Sequence, residues 1–168
     1  ANYDRLYVTT TGEGNGDTWA TACGDLNWTM ETATRIQSKY GTFPDIWVSA
    51  GTYYGDTLSS DAFTMREGVS MYGGFAGNEP ADYDLSLRDF AANATILDGQ
   101  HRRRVVYQPN SFNTRTALDG FTIQNGYTTG SGGGSYLQHN TALSNCHFVN
   151  NESQNSGGGL YFNNSNNS

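Results

Sequence analysis

A segment of this chain recurs after 25 positions, and the repeat restricts the fold more than any other feature of the sequence. The residues that follow Leu118 align with those that follow Leu143, and a glycine triplet that begins at Gly132 recurs at Gly157. Two separate motifs therefore share one period. Such a period is typical of repeat proteins, in which each copy packs against the next.

Each copy of the repeat has the pattern of a short, half-buried strand that follows a corner. Apolar residues alternate with polar ones, as a strand with one buried face requires. The corner holds Gly120 in the first copy and Asn145 in the second, and these residue types tolerate a positive φ at the least cost. The pattern predicts that six side chains point inward, namely Leu118, Phe121, Ile123, Leu143, Cys146 and Phe148.

The composition agrees with a single, strand-rich domain that spans residues 1–168. Glycine contributes 21 residues, charged residues make up only 15%, and the net charge is −7. An acidic surface disfavours nucleic acids and anionic membranes, so the expected partners are neutral or polar. No apolar run approaches the roughly 18 residues that a membrane span needs, and we expect no membrane insertion.

One helix is predicted, at about residues 25–40. Asp25 is a suitable N-cap, apolar residues follow at helical spacing, and Gly41 stands where a helix-terminating glycine belongs. A single amphipathic helix in a strand-rich chain suits one purpose, which is to cover the open end of the first turn of the solenoid. We therefore assign residues 1–44 to an N-terminal cap and residues 45–168 to the repeating turns.

A polar excursion at residues 76–93 interrupts the strand-like segments. Residues 45–54 and 69–75 precede it as strands, and the strand pattern returns at Ala94. Excursions of this kind are where a repeat protein usually carries its function. The complete pattern predicts an all-β solenoid of about five coils.

A short similarity relates the region after the excursion to the repeat. The triplet that begins at Leu97 has the same sequence as the triplet that begins at Leu118, which lies 21 residues later. We expect the two triplets to occupy equivalent places in successive turns. Asp98 and Asp119 would then stack about 4.8 Å apart on one outer face.

The order of motifs along the chain resembles that of a known group of proteins. The motifs are Trp19-Ala20 before the helix, the segments 46–54, 68–79 and 94–99, the pair Arg88-Asp89, the segment 118–123 and the Gly-Gly-Gly-x-Tyr repeats. In this order they resemble secreted right-handed parallel β-helix proteins of Bacteroidota and related bacteria, which have a pectin-lyase-like fold. The resemblance implies a right-handed parallel β-helix and a secreted or cell-surface location. Its relatives include lyases, hydrolases, epimerases and adhesins, so it does not select an activity.

One group of charged residues fits a polysaccharide lyase. Such an enzyme needs a basic side chain that removes a proton next to a uronate carboxylate, and acidic residues that hold Ca²⁺. The candidates are Arg102, Arg103 and Arg104 with Asp98 and Asp119. The alternatives are that the arginines bind sulfate or carboxylate groups or only offset acidic charge, and that each aspartate stabilises its own tight turn.

Two further sets of residues are candidates for binding. The excursion contains Glu79, Asp82, Asp84 and Asp89, which could hold Ca²⁺ in a loop, although their spacing does not match an EF-hand. Tyrosine faces bind sugars, and the candidates there are Tyr127, Tyr136 and Tyr161. Because Tyr136 and Tyr161 are equivalent positions of the repeat, the alternative is a ladder of stacked rings that stabilises the fold.

The sequence favours a non-catalytic role over an enzymatic one. The leading hypothesis is an extracellular adhesin or scaffold module that contacts carbohydrate or a surface protein, and the alternative is a Ca²⁺-dependent uronate lyase. The chain stops within a copy of the repeat, so we expect a C-terminal truncation or stacking of the last coil on a partner. Cys23 and Cys146 are expected to be free thiols.

Overall fold

The computed structural model describes residues 3–164, and these form parallel β-sheets and one α-helix, α1 (Leu26–Tyr40). Every pairing between the strands of this range is parallel. The strands are β1 (Arg5–Val8), β2 (Asp45–Ser49), β3 (Gly51–Tyr53), β4 (Asp61–Thr64), β5 (Met71–Phe75), β6 (Thr95–Asp98), β7 (Arg104–Tyr107), β8 (Thr116–Asp119), β9 (Thr122–Gln124), β10 (Tyr127–Thr128), β11 (Ser135–Gln138), β12 (Thr141–Ser144), β13 (His147–Val149), β14 (Glu152–Ser153) and β15 (Leu160–Asn163).

The chain visits three sheets in a fixed cyclic order. The first sheet has the order β1-β2-β5-β8-β12, the second is β3-β6-β9-β13, and the third is β4-β7-β11-β15. From β2 onward, each round of the chain places one strand in the first, the second and then the third sheet. The small pair β10-β14 lies between the second and third sheets in the order of the chain.

The 25-residue repeat is confirmed by the strand register. Leu118 pairs with Leu143 in the first sheet, and Ile123 pairs with Phe148 in the second. The corner is confirmed as well, because the residues at its two equivalent positions have φ values of +90° (glycine) and +51° (asparagine). Equivalent residues of the two copies therefore lie side by side.

The side chains that point between the three sheets form one main core. The three inward positions predicted in the first copy are buried, and the three predicted in the second copy are half-buried and pack against the same core. The predicted pattern is thus confirmed. The largest fully buried members of this core are Leu6, Met30, Ile46, Phe63, Met65, Met71, Leu97, Leu118, Phe121 and Ile123.

The predicted helix and both of its ends are confirmed. The Asp25 side chain accepts a hydrogen bond from the backbone N–H of Trp28 at 3.0 Å, as an N-cap does. Gly41 has a φ of +73° at the C-terminus. The buried face of the helix includes Met30 and Ala33, which belong to the main core. None of the helices in the described range is long and apolar enough to cross a membrane.

The expected equivalence of the two Leu-Asp-Gly triplets is wrong. Leu97 lies in the second sheet and pairs with Ile123, whereas Leu118 lies in the first sheet and pairs with Met71. The register partner of Leu97 in the following round is Ile123 and not Leu118, so an offset of 21 residues does not connect successive rounds. The triplets are similar because two different strands both end in a tight turn.

Both cysteines are free thiols, as the sequence predicts. Cys23 is buried near the N-terminus of the helix, and Cys146 is half-buried at the inner face of the last described round. Burial raises the pKa of the Cys146 thiol, which disfavours the reactive thiolate at neutral pH.

Candidate functional site

The arginines that were candidates for lyase chemistry are mostly engaged in structural contacts. Arg102 is exposed, but Arg103 is buried and donates to the side-chain oxygen of Gln100 at 3.2 Å. Arg104 forms an ion pair with Asp61 at 2.6 Å, and its guanidinium also donates to backbone carbonyls between β10 and β11. The contacts of Arg104 tie neighbouring rounds together.

The two aspartates that were expected to stack lie in different sheets and have different partners. Asp98 accepts a hydrogen bond from the backbone N–H of Gln100 at 2.7 Å, which is the turn-stabilising role that the sequence offered as an alternative. Asp119 instead binds the guanidinium of Arg88 at 3.0 Å and the side-chain amide of Asn145 at 2.8 Å. The structure therefore does not bring the predicted carboxylate pair together.

The carboxylates of the excursion accept hydrogen bonds from nearby backbone groups. Glu79 accepts from the N–H groups of the three preceding residues, Asp84 from that of Ser86, and Asp89 from those of the two residues before Asn93. The bond from Ser86 lowers the pKa of Asp84. Asp82 is exposed. Within the described range, no three acidic, histidine or cysteine side chains are grouped so as to hold a metal ion.

The predicted tyrosine ladder is present on the outer face of the third sheet. Tyr136 stacks on Tyr161 with ring centroids 5.3 Å apart, and Tyr107 extends the column on the other side at 5.6 Å. Rings that stack on one another turn their faces inward along the column, so the middle ring offers little face to a sugar. Tyr127 lies apart in β10, where its hydroxyl accepts a hydrogen bond from the amide of Gln154.

The excursion covers part of the outer face of the first sheet. β5 ends at Phe75 and β6 begins at Thr95, so the excursion spans residues 76–94. Beneath it, Phe75 stacks on Trp47 with centroids 4.5 Å apart. These rings belong to a second buried cluster, separate from the main core, in which the excursion contributes Tyr83 and Leu85. The excursion is therefore packed on the sheet.

Arg88 fixes the position of the excursion. Its side chain is only 4% exposed, and its guanidinium donates to the backbone carbonyl of Leu85 at 2.8 Å, to that of Gly73 at 3.0 Å and to the Asp119 carboxylate. The guanidinium also lies 5.0 Å from the centre of the Phe90 ring. A buried arginine with this many partners holds one conformation.

Phe90 rests on two glycines, one in β5 and one at the corner that follows β8. A Cβ atom at Gly74 would lie 2.7 Å from the Phe90 ring, and one at Gly120 would lie 2.8 Å from it. Both glycines also have φ values above +80°. Glycine is required at these positions for its backbone conformation and for the space that the aromatic ring occupies.

An open groove of about 760 Å³ lies between the end of the excursion and the outer face of the second sheet. Its wall contains Leu87 and Phe90, and Leu87 is 65% exposed. Its floor contains Thr122 and His147, which are register partners in β9 and β13. We refer to this space as the excursion groove. The residues that line it are Leu87, Arg88, Asp89, Phe90, Ala91, Ala94, Thr122 and His147.

The sequence predicts that the excursion carries function, but no motif in it indicates these groove residues. The available signal was the occurrence of Leu85, Leu87 and Phe90 within an otherwise polar segment. Apolar residues in such a segment indicate packing or an exposed contact surface. Their relation to His147 depends on sheet geometry, which the sequence alone did not supply.

Comparison of the chain with models of protein families, with curated proteins and with solved structures finds no match.

Proposed function

We propose that this protein is a right-handed parallel β-helix module that acts as a non-catalytic scaffold or adhesin outside the cell and contacts carbohydrate. The cyclic order of strands through three parallel sheets supports the β-helix. The acidic, weakly charged surface supports a neutral or polar partner over a polyanionic one.

The excursion groove is the observation that carries the proposed carbohydrate contact. It combines an exposed apolar wall with a polar floor, and its volume lies in the range of about 300–1,000 Å³ that is usual for ligand sites. Buried contacts of Arg88 support the wall from behind. A groove that is formed before the ligand arrives binds with a smaller entropy loss than one that must be ordered.

The arrangement of charged residues favours a binding role over lyase chemistry. A uronate lyase places its base and its metal-binding carboxylates around one sugar. Here Arg103 and Arg104 are committed to hydrogen bonds and an ion pair, and Asp98 and Asp119 lie in different sheets. The contacts of Arg104 hold neighbouring rounds together, as is expected of a scaffold.

Combined assays of binding and turnover test this proposal. The chain is run through native gels that contain soluble neutral or anionic polysaccharides, and the same polysaccharides are incubated with it while the ultraviolet absorbance of unsaturated products is recorded. We expect retardation in at least one gel and no product, with or without Ca²⁺. Product formation that is lost in the exposed variant Arg102→Ala or in Arg103→Ala would establish the lyase instead.

A further inference from the structure

We infer that the excursion groove selects a neutral, linear oligosaccharide and that Leu87 and His147 contact it directly. This inference rests on the proposed function and adds to it a ligand class and a binding surface. It follows from the shape of the groove, from its distribution of polar and apolar groups and from its charge.

The floor of the groove spans two successive rounds. Its floor residues Thr122 and His147 come from two rounds and are paired in register, so neighbouring floor positions are separated by the spacing of adjacent strands, about 4.8 Å. A ligand on this floor crosses from one round to the next. An extended chain of sugar units suits such a floor better than a single sugar does.

The two sides of the groove match the two kinds of surface that a pyranose ring presents. A pyranose has faces of C–H groups and a rim of hydroxyl groups. Leu87 and Phe90 offer apolar and aromatic contact to a face, and the hydroxyl of Thr122 and the imidazole of His147 offer hydrogen bonds to the rim. His147 is exposed and therefore accessible to a ligand.

The charge of the lining disfavours acidic sugars. Arg88 is the arginine of the lining, but its side chain is 4% exposed and its guanidinium is paired with Asp119. Asp89 adds a carboxylate at the surface, and the whole chain carries a net charge of −7. A uronate or sulfated sugar would meet repulsion without a free arginine to bind it, so we assign the groove to uncharged sugars.

Groove variants with matched controls test the assignment. Leu87→Ala is compared with Leu58→Ala, because Leu58 is 98% exposed in a distant loop. His147→Ala is compared with His139→Ala, because both histidines are exposed. Affinities are measured for xylan, mannan and mixed-linkage glucan, for their oligosaccharides of increasing length, and for pectate, alginate and chondroitin sulfate.

We expect binding of at least one neutral polysaccharide, affinity that rises with oligosaccharide length, and a loss of about tenfold in each groove variant. The control variants should bind as the unmodified chain does. Unchanged circular dichroism and unfolding midpoints would show that the exposed substitutions leave the fold intact.

Four results would overturn the inference. Binding that is confined to the anionic polysaccharides would show that this groove is not the binding site. Binding of neutral polysaccharides that both groove variants retain would show the same, and either result would leave the proposed scaffold in place. Perturbation of the groove amides in NMR spectra by a pool of short peptides, and not by the oligosaccharides, would assign the groove to a protein partner. Absence of binding to every polysaccharide would overturn the proposed carbohydrate contact itself.

Discussion

Arg88 and Asp119 form a buried ion pair that joins the excursion to the first sheet. The guanidinium and the carboxylate are 3.0 Å apart, and the two side chains are 4% and 14% exposed. The pair does not stand alone, because Asp119 also accepts a hydrogen bond from Asn145 of the following round. One carboxylate therefore connects the excursion, β8 and the next copy of the repeat.

Removal of the carboxylate should destabilise the chain substantially. Asp119→Asn leaves the Arg88 guanidinium buried without a counter-charge, and breaking a pair of this kind typically costs about 3–5 kcal/mol in the free energy of unfolding. Urea denaturation measures the change. The exposed pair Arg66 and Glu31 is the control, with side chains 44% and 52% exposed, and Glu31→Gln should cost less than about 1 kcal/mol. Equal effects of the two substitutions would show that Asp119 does not hold the excursion.

The corner glycine next to Asp119 should not tolerate a side chain. Gly120→Ala places a Cβ atom 2.7 Å from the carbonyl oxygen of Gly73 and 2.8 Å from the Phe90 ring, so the backbone or the excursion must move. Gly41→Ala is the matched control, because Gly41 also has a positive φ but nothing lies within 4 Å of its Cβ position.

We expect Gly41→Ala to cost about 1 kcal/mol, from backbone strain alone, and Gly120→Ala to cost at least twice as much. Unfolding in urea gives both values. Limited proteolysis of the excursion should also be faster in Gly120→Ala than in Gly41→Ala, since only the first substitution displaces Phe90. Equal proteolysis rates would count against the contact between the corner and the excursion.

The sequence predicted those parts of the fold that depend on local requirements. The repeat, the positive φ at Gly120 and Asn145, and the helix between Asp25 and Gly41 each follow from residue types at fixed positions, and the structure confirms all of them. These features need no knowledge of distant contacts.

The parts that the sequence did not predict depend on contacts between residues that are far apart in the chain. Leu97 and Leu118 lie in different sheets and have different register partners, so their expected equivalence failed although the triplets are identical. The pair between Arg88 and Asp119 spans 31 positions, and that between Arg104 and Asp61 spans 43. No local pattern in the sequence indicates such pairs, and the groove depends on one of them.

The tyrosine ladder should contribute to stability and not to carbohydrate binding. Tyr136 stacks on Tyr161 and contacts the tilted ring of Tyr107, so Tyr136→Ala removes two ring contacts and should cost about 2 kcal/mol. Tyr127→Ala, outside the ladder, should cost less. Gel retardation of the folded Tyr136→Ala variant by polysaccharides should match that of the unmodified chain, and a loss of retardation without a loss of stability would make the ladder a binding platform.

Tyr53 should make the chain less stable at high pH. Burial raises the pKa of its phenol to about 12, although a hydrogen bond with Ser49 acts in the opposite direction. In the unfolded chain the phenol ionises near its ordinary pKa of about 10, so between about pH 10 and 12 the unfolded state binds fewer protons than the folded state. The free energy of unfolding therefore falls as the pH rises through this window. The stability that the protonated phenol of Tyr53 contributes is fully present only below about pH 10.

The variant Tyr53→Phe isolates this effect. It removes the ionisable group and the hydrogen bond from the hydroxyl to the Ser49 carbonyl, which is 3.0 Å long, so it should be less stable than the unmodified chain by about 1 kcal/mol at pH 8. At pH 11.5 that deficit should shrink or reverse, because only the unmodified chain loses free energy of unfolding at this residue, about 1.4 kcal/mol per pH unit. A constant deficit for Tyr53→Phe from pH 8 to 11.5, measured by urea unfolding, would contradict the raised pKa.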